Sequence, residues 1–405
     1  MTVALSRRAS DVRVIGLISL AHGSSHFFHL VLPSMFPWLK DAFALSYAEL
    51  GLLMSIFFVV SCVVQAASGF LVDHIGARPV LFAGVGLLAL AALTYSQSNG
   101  YAMLILGAVI AGCGNGVFHP VDYTLINHKV SPPNLPYAYS MHGVTGYLGW
   151  AAAPAFMVGI TQISDWRMAF LSATILEGLI LLILWFNRGQ LIDDVKERHA
   201  QSHADTRSSN TNPFAFLKLA AVWLCWIFFF FSMASTSSLQ SFAPSALFSI
   251  YGVPMISGSY FITLLALGSA GGVLLGGYLA AKLQAPERIV SSCLSVTILM
   301  CLLLATGVIP VALIPVLFCL LGFGYGLVAP SRDLMVKNAT PKGVAGRVYG
   351  VVYSGIDLGA AVGPFIFGFF MDAGLPKALF IGIALFQLMI IPTVFKVSSS
   401  GQSRV

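Results

Sequence analysis

An all-α membrane protein is predicted, with twelve transmembrane helices in two pseudo-symmetric six-helix bundles. Three observations predict it. The 405 residues are 58% apolar and only 9% charged, against about 25% charged in soluble domains, and their mean hydropathy is +0.87. The apolar residues fall into twelve runs separated by charge, Pro or Gly. The second half of the chain repeats landmarks of the first. Too few polar side chains exist to coat a soluble enzyme of 43.1 kDa, so lipid is the expected solvent and membrane lipid the expected surround.

The runs are 14–36, 50–72, 79–97, 101–125, 137–160, 168–187, 219–240, 257–281, 289–309, 311–334, 348–370 and 378–395. Each is read as a helix, because only helical hydrogen bonding satisfies a single span's backbone in hydrocarbon. The first run follows Arg7, Arg8 and Arg13 and is read as an uncleaved anchor rather than a signal peptide. With a cytoplasmic N-terminus, 18 Lys and Arg fall on the cytoplasmic side, and only Lys40, Arg167 and Lys377 on the other. That bias predicts that both termini are cytoplasmic, and the plasma membrane, a bacterial inner membrane, is the expected location.

The polar stretch after the sixth run sets the predicted domains: residues 1–187 as the N-terminal bundle, 188–213 as a cytoplasmic linker and 214–405 as the C-terminal bundle. His199 and His203 in the linker are read as solvated rather than metal-binding. A shift of 210 residues superposes Gly112, Gly114, Gly116, Pro120, Tyr139, Gly149, Ala151 and Pro154 on Gly322, Gly324, Gly326, Pro330, Tyr349, Gly359, Ala361 and Pro364. A shift of 211 places Ser24, Pro33 and Ser34 on Ser235, Pro244 and Ser245. Parallel repeats of this kind are a transporter's signature. The six cysteines lie in apolar runs without metal or disulfide spacing and are read as packing residues. No basic face exists for nucleic acid, and the Gly112-x-Gly114-x-Gly116 spacing lacks the Lys-Ser/Thr and preceding strand of a nucleotide loop.

Gly69-Phe70-Leu71-Val72-Asp73-His74-Ile75-Gly76-Ala77-Arg78-Pro79, between the second and third runs, resembles the loop signature of the major facilitator superfamily. Gly69 is expected to let two helices approach, Gly76 to permit a tight turn, and Asp73 with Arg78 to latch the cytoplasmic side. The corresponding stretch of the second half has Ala281 in place of Asp73, predicting a weaker latch. Gly112-x-Gly114-x-Gly116-Val117-Phe118-His119-Pro120 is more loosely similar to the Phe-His-Pro signature of fosmidomycin-resistance exporters, with Asp122 one place later than the acid of that pattern. The fourth run also lacks the arginine that many proton-coupled members carry. Gly149-x-x-x-Ala153-Pro154 and Gly359-x-x-x-Gly363-Pro364 resemble the Gly-Pro motif of the superfamily's antiporters, although tight helix packing explains them equally.

Ionisable groups inside spans are costly and usually functional. His22, His26 and His29 share one face of the first helix, within an arc of about 60°. Ser237 and Gln240 occupy the positions matching His26 and His29 in the seventh. Imidazole suits proton exchange, so His22, His26, His29, His119, His142, Gln240 and Asp357 are the predicted substrate-cavity and proton-coupling residues. Gly69, Asp73, Gly76, Arg78 and Asp122 are the predicted gating residues, with Asp122 set against Arg78. Glu177, mid-way along the sixth run, is a less favoured proton site. No resident metal is expected, since no carboxylate or thiolate shares the trio's face, although transport of a metal or metal chelate is an alternative. The expected function is proton-coupled efflux of a small organic or drug-like solute by a monomer. Proton symport of an organic anion and a non-transporting membrane receptor are the other readings. No enzyme chemistry, cofactor or nucleic-acid partner is expected.

Overall fold

The computed structural model describes residues 2–192, 215–283, 286–339 and 345–402. Among them, twelve helical segments are long and apolar enough to cross a membrane, as the runs predict. The helices are α1 (Thr2–Ser34), α2 (Phe36–Phe43), α3 (Tyr47–Ile75), α4 (Ala77–Ser96), α5 (Tyr101–Asn115), α6 (Phe118–Lys129), α7 (Leu135–Ile163) and α8 (Trp166–Phe186). They continue with α9 (Ala220–Tyr251), α10 (Met255–Leu283), α11 (Pro286–Thr306), α12 (Ile314–Ala339), α13 (Ala345–Asp372) and α14 (Lys377–Gln402). Side chains such as Phe70, Ile163 and Phe186, each at least 80% exposed, present the apolar exterior that a lipid solvent requires. Most of the predicted linker, residues 193–213 with His199 and His203, lies outside the described residues.

Two departures from a plain span pattern matter. The fourth run is divided at Gly116 and Val117 into α5 and α6. The division places Pro120 in the first turn of α6, where its missing N–H costs no hydrogen bond. Its counterpart Pro330 sits inside the unbroken α12. Before that, Gly76 joins α3 to α4 at φ 92°, a left-handed conformation that favours glycine, as the loop motif predicts. Gly69 does not do what was expected of it. A Cβ built there would meet nothing within 4 Å, so no helix among the described residues approaches at that point.

The chain separates into two compact units. The first comprises residues 1–31, 60–150 and 160–212, and the second residues 32–59, 151–159 and 213–405. The division therefore does not follow the sequence halves throughout. In the first unit, α7 lies directly on α1: a Cβ added at Gly149 would collide with the Gly23 carbonyl oxygen. Asp11 accepts hydrogen bonds from the Ser131 hydroxyl and, at 2.7 Å, from Asn134 Nδ2, which ties α1 to the turn entering α7.

In the second unit, α13 lies on α9 in the same manner, Gly359 facing the Phe230 carbonyl and Gly363 the Ala234 carbonyl. The small residues of both Gly-Pro motifs are thus helix contacts. Val222, Phe229, Val290, Val352 and Val394 pack into one apolar cluster. A buried polar chain runs from Thr297 Oγ1, which donates to Gln387 Oε1 at 2.7 Å, to Gln387 Nε2, which donates to Tyr325 at 2.7 Å.

Residues 32–59 join the second unit through specific bonds. Ser55 Oγ donates to the Ala361 carbonyl at 2.6 Å. Asp372, at the end of α13, accepts from the backbone N–H groups of Tyr47 and Ala48 at 2.7 and 2.8 Å. Those are the first amides of α3, which have no intrahelical acceptor, so Asp372 caps α3 from 325 positions away. Asp372→Ala is expected to cost about 1 kcal/mol, as loss of a cap does, and to speed hydrogen exchange at the Tyr47 and Ala48 amides. Unchanged exchange at both would contradict the cap.

Candidate functional site: five histidines around one carboxylate

The site lies within the first unit and is assembled by five helices and the break between two of them. α1 supplies His22, His26 and His29; α6, starting after the break, supplies His119 and Asp122; α7 supplies His142 and Trp150. Asn115, the last residue of α5, and Ser61 of α3 complete it.

Asp122 is the centre. Its side chain is fully buried, and its Oδ2 meets His22 Nδ1 at 3.0 Å and His142 Nε2 at 3.1 Å. With the carboxylate ionised, both imidazoles donate, in charge-assisted bonds. The two rings stack with centroids 3.4 Å apart. His26 stands 4.5 Å from His22 and 4.9 Å from His29, centroid to centroid. His119 is 5.5 Å from His22 and 6.1 Å from His142. Tyr123 packs against both His119 and His142.

His29 is held differently. Its Nε2 lies 3.0 Å from Asn115 Oδ1, while Trp150 Nε1 donates to its Nδ1 at 3.2 Å. An indole N–H only donates, so these two bonds require the neutral Nε2–H tautomer. Asn115 Nδ2 in turn donates to Ser61 Oγ at 2.8 Å, fixing the amide's orientation. His29 is therefore an anchored imidazole within the cluster. Asn115→Leu is expected to strand its N–H and lower stability by about 1–3 kcal/mol, the cost of an unsatisfied buried group. A melting temperature unchanged from the wild type would contradict this.

Three buried polar atoms of the cluster have no hydrogen-bond partner among the described residues: His26 Nδ1, His119 Nδ1 and Asp122 Oδ1. Buried polar groups are nearly always satisfied, so each such atom calls for a partner such as a water, a proton or a ligand. The space beside them is kept by Gly146, where an added Cβ would stand 3.0 Å from His26 Nδ1 and 3.3 Å from His22 Nε2.

All five predicted histidines thus come together. Asp122, expected at the gate against Arg78, lies instead between His22 and His142, because α6 places it one turn beyond His119 on the same face. Gln240 and Asp357 are buried in the second unit, on α9 and α13. Of the serines beside Gln240, Ser237 and Ser238 donate to the backbone carbonyls of Ala360 and Ala234, while the buried hydroxyls of Ser235 and Ser241 have no partner among the described residues. Asp73 and Arg78 flank the Gly76 turn. Glu177 is fully buried on α8. Neither of its oxygens has hydrogen-bond geometry, and the neighbouring Ser24 hydroxyl donates to the Ala21 carbonyl instead. Asn115, Trp150, Ser61 and Gly146 were not anticipated. Of these only Asn115, an amide between two glycines inside an apolar run, carries a signal in sequence.

Twelve helices long and apolar enough to span a membrane among the described residues, with ionisable side chains gathered inside one unit, have the architecture of a multi-pass membrane protein. The family model described as Major Facilitator Superfamily matches residues 18–364 and 286–403. The chain belongs to that superfamily. Among curated proteins, the fosmidomycin resistance protein of Escherichia coli (strain K12) is 21% identical over 274 residues, 67% of this chain and 65% of that protein. The hexuronate transporter of Bacillus subtilis (strain 168) is 26% identical over 153 residues, 37% of this chain and 35% of that one. The matches therefore span less than two thirds of the length of these relatives. Among solved structures, a bacterial homologue of the human lysosomal transporter Spinster, in an inward-facing and unoccupied conformation, superposes with a TM-score of 0.80 at 14% identity, covering 97% of this chain and 98% of that one. A nucleoside transporter superposes with a TM-score of 0.74 at 13% identity, covering 95% and 99%. At such identities these two show the fold alone.

Proposed function

We propose that the protein is a proton-coupled secondary transporter that exports a small organic or drug-like solute by alternating access. The observation that carries this reading is the buried carboxylate of Asp122 shared by His22 and His142. A carboxylate balances one imidazolium but not several, so a second proton entering the cluster has to leave again or be offset by a ligand. His26 and His119, each with an unpartnered nitrogen, are the entry points in this scheme, and His29 is the fixed end. Gln240 and Asp357 are proposed substrate- or proton-handling groups of the second unit. Asp73, Gly76 and Arg78 are proposed gating residues. Export is favoured by the Phe118-His119-Pro120 sequence and by the relative named for fosmidomycin resistance. A bacterial inner membrane, cytoplasmic termini and a monomeric state belong to the same proposal.

Import by proton symport is the competing direction, and a hexuronate transporter and an arabinose-proton symporter are among the relatives. A thermal-shift screen of the purified chain against antibiotics, organic anions and sugar acids identifies a ligand, since binding to the native state alone raises the melting temperature. Flux of that ligand is then measured in everted and right-side-out vesicles under an imposed pH gradient. Accumulation in everted vesicles is expected. Accumulation only in right-side-out vesicles overturns export, and absence of flux in either overturns transport.

A further inference from the structure

We propose that His22, His119 and His142, with Asp122 among them, form a binding site for one divalent transition-metal ion. One ligand atom from each histidine lies within 4.8 Å of the other two. Tetrahedral bonds of about 2.0–2.1 Å would bring such nitrogens to roughly 3.3–3.4 Å of each other. Closing that difference requires the rings to turn, and it breaks the stacking of His22 on His142. The partners that a metal would need from other spans, lacking on α1 alone, come from α6 and α7.

Three features fit this donor set. His119 Nδ1 is buried without a partner, which is the condition of a lone pair open to a metal. Asp122 holds His22 and His142 through one oxygen and leaves the other unpartnered. It can therefore become the fourth ligand, or stay behind the imidazoles as the carboxylate that orients them, as in many histidine sites. Three neutral imidazoles and one carboxylate leave a bound dication with a net charge of one, a milder burden at membrane depth than the bare ion. Nitrogen and carboxylate donors without thiolate suit zinc, cobalt, nickel or copper(II) rather than calcium or magnesium. His29, with both ring nitrogens engaged by Asn115 and Trp150, is excluded from the set, and His26 stands beside it.

The inference names a second ligand for the cluster used in the proposed transport cycle, and binding itself does not depend on that cycle. The test uses the full chain carrying His199→Ala and His203→Ala, untagged, in detergent and stripped of metal, titrated with Co²⁺ and then Zn²⁺. One equivalent of Co²⁺ is expected to give a visible tetrahedral spectrum that Zn²⁺ abolishes. His119→Gln and, separately, His142→Gln are expected to weaken binding at least tenfold, whereas His74→Gln, at the exposed end of α3, leaves it unchanged. No spectrum, or equal binding in the His119→Gln protein, overturns the site. Should either variant melt early, X-ray absorption on the zinc-loaded parent decides: three imidazoles are expected, and fewer than two overturn the proposal. Proton-driven flux in metal-free liposomes is read separately. Its loss refutes the transport reading and leaves the metal site standing, and the reverse holds equally.

Discussion

Replacing Asp122 with Asn is expected to abolish proton-driven accumulation, by at least tenfold in initial rate, while the protein inserts and purifies normally. Asn keeps the shape but carries no charge, and one of its two polar atoms is a donor. The two bonds to His22 and His142 lose their charge assistance, and hydrogen bonds to a charged group contribute about 1.5–3 kcal/mol each. Each tenfold in rate or occupancy corresponds to about 1.4 kcal/mol, so the loss of even one bond is enough. The discriminating readout is the pH dependence. Solute exchange without a gradient is expected to persist in the variant but to lose its response to pH. A variant that still concentrates its substrate against a pH gradient at the wild-type rate would show that Asp122 is packing rather than chemistry.

The second large effect is on stability. Gly359→Val is expected to destabilise the protein by about 3 kcal/mol or more, at the upper end of what overpacking costs. The atom in the way is the Phe230 carbonyl oxygen of α9, part of a helix backbone that cannot rotate aside as a side chain does. β-branching adds a second methyl to the same collision. Gly149→Val, against the Gly23 carbonyl in the other unit, is expected to behave alike, since the two glycines are counterparts under the 210-residue shift. Gly69→Val, by contrast, adds a side chain where nothing lies within 4 Å and is expected to leave packing intact. Melting temperatures of the three variants in detergent check the order. Equal melting of the Gly69 and Gly359 variants would mean that α9 and α13 are not in the close contact described.

How much of this was legible beforehand depended on whether a residue's partner was near in sequence. The histidine trio was readable because helical periodicity alone puts His22, His26 and His29 on one face, and their rings do form a chain. The contacts of Gly149 and Gly359 were readable because small residues four apart have few other uses inside a span. Asp122 was misread because distance from the end of an apolar run measures depth and not direction. Its spacing of three from His119, which puts both on one helix face, was the better guide. The break after Asn115 was hidden inside an unbroken apolar run. The capping of α3 by Asp372 joins residues 325 positions apart, and no local pattern reports such a bond. Nothing in sequence singles out Trp150, whose indole holds the far nitrogen of His29.

The duplicated halves share a scaffold but not a chemistry. Under the same shift, Asn115, His119, Asp122 and His142 meet Tyr325, Ala329, Arg332 and Val352. Where the amide anchors an imidazole, the tyrosine joins a chain of neutral groups ending at Thr297. The histidine cluster thus belongs to the first half alone, while the second half carries Gln240 and Asp357. A hybrid made from two second halves would keep the helices and lose every one of these titratable groups. The imidazole cluster therefore occurs once per chain among the described residues, with no copy of it in the second half.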